Sequence, residues 1–292
     1  MRAIPVRLSV CAAHRLQAGS YQMPLTLLVD NGSLEPAATL ALRELAVQLA
    51  TRIGGKVAPV SLLHSSGIEP QKLGGQPAEI LVPALEQRIA RGQTEFILLP
   101  LFFGPSRALT DYFPENLARL RKKYPQLKVS VAAPLYAAGD GRLAQILADN
   151  VAPHLGTEPA RVALVDHGSP VAEVTAVRNE LAQQLAERLG SRVLAVAPCS
   201  MERRVGAEYD FNDPLLAALL DTPPWTTGRV IVALQFLSPG RHAGPEGDVA
   251  QLCRQAESKH PSLRTQLTGL VGAHPLLLEI LADRWGAAAP PA

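Results

Sequence analysis

Short apolar, β-branched runs alternate along this chain with longer stretches whose apolar positions recur every three or four residues. Residues 25–29, 57–63, 96–103 and 128–133 are runs of the first kind and predict strands. Between them the period changes. After Pro36, Leu42, Leu45 and Leu49 fall on one face with Arg43, Glu44 and Gln48 opposite, which predicts a helix. Residues 78–90, 109–122 (with Pro114 in the first turn) and 143–151 predict three more. From Arg161 the order starts again, with strands at 162–165, 193–197, 230–234 and 263–270. The helices of this second series follow Pro170 (Val174, Val177, Leu181 and Leu185 on one face), begin near Asp213, and span 247–258 and 275–285. Strands alternating with helices of this length mean βαβ units and parallel sheets.

The two series superimpose. Asp30-Asn31-Gly32-Ser33 returns as Asp166-His167-Gly168-Ser169, 136 residues later. Pro105-Ser106-Arg107-Ala108 returns as Pro239-Gly240-Arg241-His242, and Ile146-Leu147-Ala148-Asp149 as Ile280-Leu281-Ala282-Asp283, both at an offset of 134. The expected fold is therefore α/β: two tandem duplicated domains, each a parallel sheet of about four strands flanked by helices. The expected divisions are a disordered leader 1–22, domains 23–156 and 157–286, and a disordered Ala/Pro-rich tail from Gly286, with 287–292 outside the second domain.

Divergence between the halves points to the chemistry. Asn31 and Ala108 in the first half stand where the second has His167 and His242, and at the end of the second strand His64 is aligned with Glu202. A lone histidine beside a turn is usually a surface residue. Two histidines present together in one half and absent together from the other are harder to dismiss. Open α/β sheets place their ligand sites at the carboxyl ends of the strands, where these residues fall. Imidazoles and a carboxylate there can ligate a borderline divalent metal or accept protons. Arg203, Arg204 and Arg241 cluster nearby and suit an acidic ligand, or simply a solvated loop. Ser169 can cap the following helix. Asp166 can orient an imidazole or merely end its strand, and Glu246 lies four residues beyond His242. Tyr209 and Phe211 can face a flat ligand or anchor their loop, whereas His14, His154, His260 and His274 have no companions in the sequence and are taken as structural.

Composition narrows the classes. Net charge is +2, too small to make an electrostatic case for nucleic acid or a membrane surface. Three cysteines without a C-x-x-C pair argue for a reducing compartment, hence a cytoplasmic protein, and no apolar run is long enough to span a bilayer. Residues 1–22 carry Arg2, Arg7 and Arg15 and no acid, and are read as a frayed leader rather than a transit peptide. Nucleotide-binding glycine loops and the G-x-S-x-G elbow are absent.

The Asp-His-Gly-Ser strand end, the Phe-x-x-x-Gly-Arg-His-Ala-Gly loop (236–244) and the tandem halves resemble the class II chelatases. Within them the chain is most similar to the sirohydrochlorin cobalt- and ferrochelatases, the CbiX/SirB-like family, over roughly residues 24–285. The resemblance implies an enzyme that inserts Co²⁺ or Fe²⁺, as substrate metal, into an anionic metal-free tetrapyrrole such as sirohydrochlorin. It implies metal binding and proton acceptance by His167, His242 and Glu202; Arg203, Arg204, Arg241 and Ser169 are the residues expected to bind the substrate, and nothing in the chain requires an organic cofactor. The partners are then a tetrapyrrole and a divalent metal, with no nucleic acid and no membrane, and a monomer suffices because two halves can form one cleft. Asn31 and Ala108 depart from the family motif, so the first half is expected to be inactive. A non-catalytic tetrapyrrole or metal carrier of the same fold is the second reading, and an interaction module of a tetrapyrrole pathway the third.

Overall fold

A computed structural model describes residues 24–289. Its first half runs β1 (Leu25–Asp30), α1 (Pro36–Ile53), β2 (Val57–Ser61), α2 (Leu81–Ala90), β3 (Glu95–Pro100), α3 (Phe113–Lys123), β4 (Lys128–Val131) and α4 (Arg142–Val151). The second runs β5 (Ala160–Asp166), α5 (Ala172–Leu189), β6 (Ala195–Ser200), α6 (Leu216–Leu220), β7 (Gly228–Leu234), α7 (Asp248–Lys259), β8 (Leu263–Leu267) and α8 (Pro275–Ala288). The strands form two four-stranded sheets of order β2-β1-β3-β4 and β6-β5-β7-β8. Every pairing is parallel.

That order explains the composition of the inner strands. β1 and β5 are each flanked by two strands and covered by helices on both faces, so side chains of both parities are buried and the runs are continuous rather than alternating (Leu27, Leu28 and Val29; Val162, Ala163, Leu164 and Val165). In each sheet the chain leaves the first strand for one neighbour and returns on the other side. The crevice of each half thus opens where β1 meets β3 and where β5 meets β7.

The halves are not independent beads. One continuous apolar cluster takes Leu42, Leu45 and Leu49 from α1, Ile146 and Leu147 from α4, Leu181 and Leu185 from α5, and Leu277, Ile280 and Leu281 from α8. α1 packs on α8 as α5 packs on α4. The polar rim repeats the symmetry: Arg52 Nη2 meets Glu279 at 2.7 Å, and 136 residues on Arg188 Nη1 donates to Gln145 at 2.6 Å. The duplicated aspartates also face across the joint, Asp283 pairing with Arg142 at 2.6 Å and Asp149 with His274 at 3.3 Å.

Several sequence expectations need correction. Gly286 to Ala288 continue α8 instead of starting a loose tail, because the buried Leu277, Ile280 and Leu281 seat the helix and Trp285 Nε1 donates to Thr26 Oγ1 at 2.9 Å. Residues 78–80 precede the helix, with Ile80 extended and bridging to Ser61, so α2 begins at Leu81. The segment before α3 is a wide π-helical turn, Ala108–Tyr112, placing Pro114 near the start of the α-helix proper. The helix expected from Asp213 begins only at Leu216, after a 3₁₀ segment at Ala207–Asn212. The expected leader 1–22, with His14 and Cys11, lies outside the described residues, as do 290–292. Cys199 and Cys253 are free and buried.

Because the joint is a shared core, cutting into it from one half is expected to destabilise both. Leu147→Ala, at a position only 1 % exposed, removes about 2–5 kcal/mol. Urea unfolding followed by far- and near-ultraviolet circular dichroism should still show one coincident transition. Two separated transitions would show that the halves melt independently.

Candidate active site

The strand ends of both halves border one cleft of about 640 Å³. The first half lines it with Asp30, Asn31, His64 and Leu101, and the second with His167, Phe236, Arg241 and His242.

The turn that presents His167 is held from beneath. Gly168 has φ +93°, and a Cβ there would come within 1.9 Å of the Glu202 carbonyl oxygen, so only glycine fits. Asp166 Oδ1 accepts from the Gly168 amide (3.1 Å) and from Ser200 Oγ (2.6 Å). The Arg178 guanidinium lies beside it at 3.7 Å and donates to Ser200 Oγ (2.6 Å) and the Asn212 carbonyl (2.9 Å). Asn212 then grips Ser169 at both backbone groups, Oδ1 accepting from its N–H (2.8 Å) and Nδ2 donating to its carbonyl (2.9 Å). Asp166, Arg178, Ser200 and Asn212 are all buried. Burial pushes the Asp166 carboxyl up, opposed by the hydrogen bond from Ser200 and the charge of Arg178.

Above this base the two imidazoles meet edge to face, with ring centroids 4.7 Å apart and planes at 78°. His167 Nδ1 donates to the Gly168 carbonyl at 3.1 Å, leaving Nε2 free, 3.5 Å from Glu202 Oε1. His242 Nδ1 donates to Asp248 Oδ2 at 2.7 Å. Engaging both Nδ1 atoms with acceptors selects the tautomer whose Nε2 carries a lone pair. The arrangement is thus a pair of bases at a cleft mouth, with a carboxylate beside one of them. Among the described residues no group of three or more His, Cys, Asp or Glu side chains is already gathered as a metal cage.

The structure redistributes the other candidates. Arg241 borders the cleft, but Arg203 and Arg204 are not among the lining residues. Arg203 is spent on its own loop, paired with Asp210 and Asp213 at 3.0 Å each, and Arg204 lies over the Tyr209 ring. Tyr209 and Phe211 pack on each other. Ser169 Oγ accepts from the Val171 amide at 3.0 Å, a local turn bond. Asp166 holds backbone and Ser200, not an imidazole ring, and Glu246 pairs with Arg254 while Asp248 takes the place beside His242. His260 and His274 do have companions, Asp221 at 2.7 Å and Asp149 at 3.3 Å, contributed by distant segments. The alignment of His64 with Glu202 is also off by one. Leu63 N donates to Asn31 O as Glu202 N donates to His167 O, and the Leu63 and Glu202 carbonyls crowd Gly32 and Gly168 alike. Glu202 therefore corresponds to Leu63, and His64 to Arg203.

Three supporting residues escaped the sequence reading. Arg178 carried a signal, being a cation on the apolar stripe Val174, Leu181 and Leu185. Asp248 carried a weaker one, an acid opening a helix six residues after His242. Asn212 carried none.

SirB from Bacillus subtilis with Fe³⁺ superimposes with a TM-score of 0.66 at 17% identity, over 92% of this chain and 96% of that one. CbiX, described as the terminal enzyme for biosynthesis of siroheme in denitrifying bacteria, gives 0.58 at 16% identity over 91% and 100%. A chloroplastic sirohydrochlorin ferrochelatase of Arabidopsis thaliana is 29% identical over 123 residues, 42% of this chain. The chain spans about half the length of that relative, 50%. Residues 161–288 match the CbiX family model. The second half is similar to the CbiX family, and the whole chain has the fold of the SirB and CbiX chelatases. No helix among the described residues is long and apolar enough to cross a membrane.

The first half keeps the equivalent carboxyl, Asp30, but has Leu42 where the second has Arg178. Asp30 Oδ1 is buried without a partner, and burial raises its pKa from 3.8 to about 6 against the pull of Ser61 and the Gly32 amide. A raised carboxyl pKa favours folding most below about 3.8, and that contribution is lost as pH rises through about 6. Asp30→Asn should therefore raise the Tm at neutral pH, by at most about 3 kcal/mol in stability, with the gain vanishing toward about pH 4. Thermal melts across that range check it. A Tm unchanged or lowered by the substitution at neutral pH contradicts the assignment.

Proposed function

We propose that this protein inserts a divalent metal, Co²⁺ or Fe²⁺, into an anionic metal-free tetrapyrrole of the sirohydrochlorin type. The observation that carries the reading is the pair His167 and His242 at the cleft between the halves, each ring tied through Nδ1 with Nε2 left available. Imidazole nitrogen with a neighbouring carboxylate suits borderline divalent metals, and an open set of donors suits an ion that must arrive and leave. The SirB structures carry Fe³⁺ and cobalt respectively, which fits the same pair of substrate metals.

In this mechanism the macrocycle lies in the cleft and Arg241 faces its acidic substituents. His167 and His242 pass the metal inward, and a free Nε2 accepts a proton as a pyrrole N–H is lost. Glu202, 3.5 Å from His167 Nε2, holds the resulting imidazolium or joins the metal's ligand set. Asp248 steadies the charge on His242 in the same way. No step requires an organic cofactor. One active half is sufficient, since the first presents Asn31 and Ala108 at the equivalent positions. The two halves, divided near residue 156, are proposed as the degenerate and active domains of one monomeric enzyme.

The test is a multi-turnover assay following tetrapyrrole absorbance with Co²⁺, Fe²⁺ and Ni²⁺. His167→Ala or His242→Ala should lower kcat at least about 100-fold with the fold intact, while Asn31→Ala leaves most of the activity. Equal damage from Asn31→Ala would contradict the single active half, and a spectral shift that stops at one equivalent would indicate a carrier.

Arg241 gives a second expectation. Arg241→Ala should raise the KM for the tetrapyrrole several-fold with little change in kcat, and the wild-type KM should rise with salt because exposed charges are screened. A KM indifferent to both would remove Arg241 from substrate binding.

A further inference from the structure

His64 is the one residue other than glycine with a positive φ among the described residues, at φ +66° and ψ −45°. The Ser65 amide donates to the Leu63 carbonyl at 2.8 Å, closing a three-residue turn around it. Turns of this hand are rare and strained for an L-residue, and glycine would occupy the position at less cost. The strain is imposed from both flanks. Leu63 N is bonded to Asn31 O, and the buried Ser65 hydroxyl donates to Ser61 Oγ (2.9 Å) while accepting from the Ser33 amide (3.2 Å).

The imidazole contributes nothing to this framework. It is exposed and makes no hydrogen bond or ion pair with any described residue. It borders the same cleft as His167 and His242. The corresponding residue of the other half, Arg203, is turned into its own loop by two carboxylates. A strained position that keeps a bulky, titratable and unbonded side chain at a ligand cleft is the pattern expected of a working group.

We infer that His64 is a third imidazole of the site, supplied by the half that lacks the other two, and that it contacts the bound macrocycle and takes up a pyrrole proton. This rests on the proposed chelatase activity. Metal insertion forms metal–nitrogen bonds and breaks two N–H bonds, each electron pair staying on its nitrogen. Two protons must therefore leave for each M²⁺ bound. One goes to a free Nε2 of the His167–His242 pair and the second to either ring nitrogen of His64, and both pass on to water. Separate acceptors spare the metal-binding imidazoles a second positive charge while M²⁺ is beside them.

The test compares His64→Gly and His64→Asn with the wild type, using Co²⁺ and metal-free sirohydrochlorin. Glycine removes the imidazole and relieves the backbone, so the Tm should rise while kcat falls at least about tenfold, with KM changing less. Asparagine tolerates positive φ without supplying a base and should show the same loss of kcat. Asp30 and Glu35 from the first half and His167, Arg241 and His242 from the second also face the cleft. All remain in both variants, so the change in the pH–kcat profile isolates His64. A more stable His64→Gly enzyme with kcat within twofold of wild type and an unaltered profile overturns the inference, as does full activity in His64→Asn. If the wild type itself shows no turnover, the chelatase reading has failed, and the fluorescence titration of metal-free sirohydrochlorin decides His64 by itself. A Kd raised at least fivefold by His64→Gly supports the contact, and an unchanged Kd overturns it.

Discussion

One fully buried guanidinium holds the second half's site in place. Arg178 joins the Asp166 carboxylate, the Ser200 hydroxyl and the Asn212 carbonyl beneath the turn that carries His167. Removing one partner from such a network strands the others without water, which costs more than the bonds contribute singly. The network therefore over-determines the turn's position. Gly168, pressed against the Glu202 carbonyl, leaves the turn a single backbone path, and that contact also sets Glu202 beside His167. Imidazole and carboxylate are thus spaced by a buried ion pair and a steric limit, with no help from their own weak, exposed contact.

Duplication sets different strand-end residues on the same framework in the two halves. Both retain the aspartate at the end of the first strand, the serine on the neighbouring strand and the crowded glycine. The first half has Leu42 at the arginine's position, and burial raises the Asp30 pKa to about 6. The first half has neither the buried ion pair nor the strand-end histidines of the second. In the same half the backbone at His64 carries strain of order 1–3 kcal/mol, flanked by the Ser61–Ser65 hydroxyl pair.

The joint between halves serves the site as well as stability. α1 on α8 and α4 on α5 form one apolar layer, and the loops at its cleft side bring Asn31 and His64 opposite His167 and His242. A flat ligand can then be enclosed by a single chain, and the spacing of the cleft walls is governed by core packing, which resists gradual deformation.

Strand and helix order, the parallel sheets, the duplication and the second half's two histidines were all legible in the sequence. Continuous apolar runs of strand length have one stable home, between two helix layers, and paired differences between repeats single out candidate site residues without any coordinates. Partner choice was not legible. Whether Arg203 faces a ligand or its own Asp210 and Asp213, whether Asp248 or Glu246 reaches His242, and which residue lies opposite Glu202 depend on where separate segments meet in space. The one-residue slip that aligned His64 with Glu202 has the same origin. Local pattern locates the end of a strand to within a residue or two, but only the hydrogen bonds and carbonyl contacts of the folded loops decide which side chain stands there.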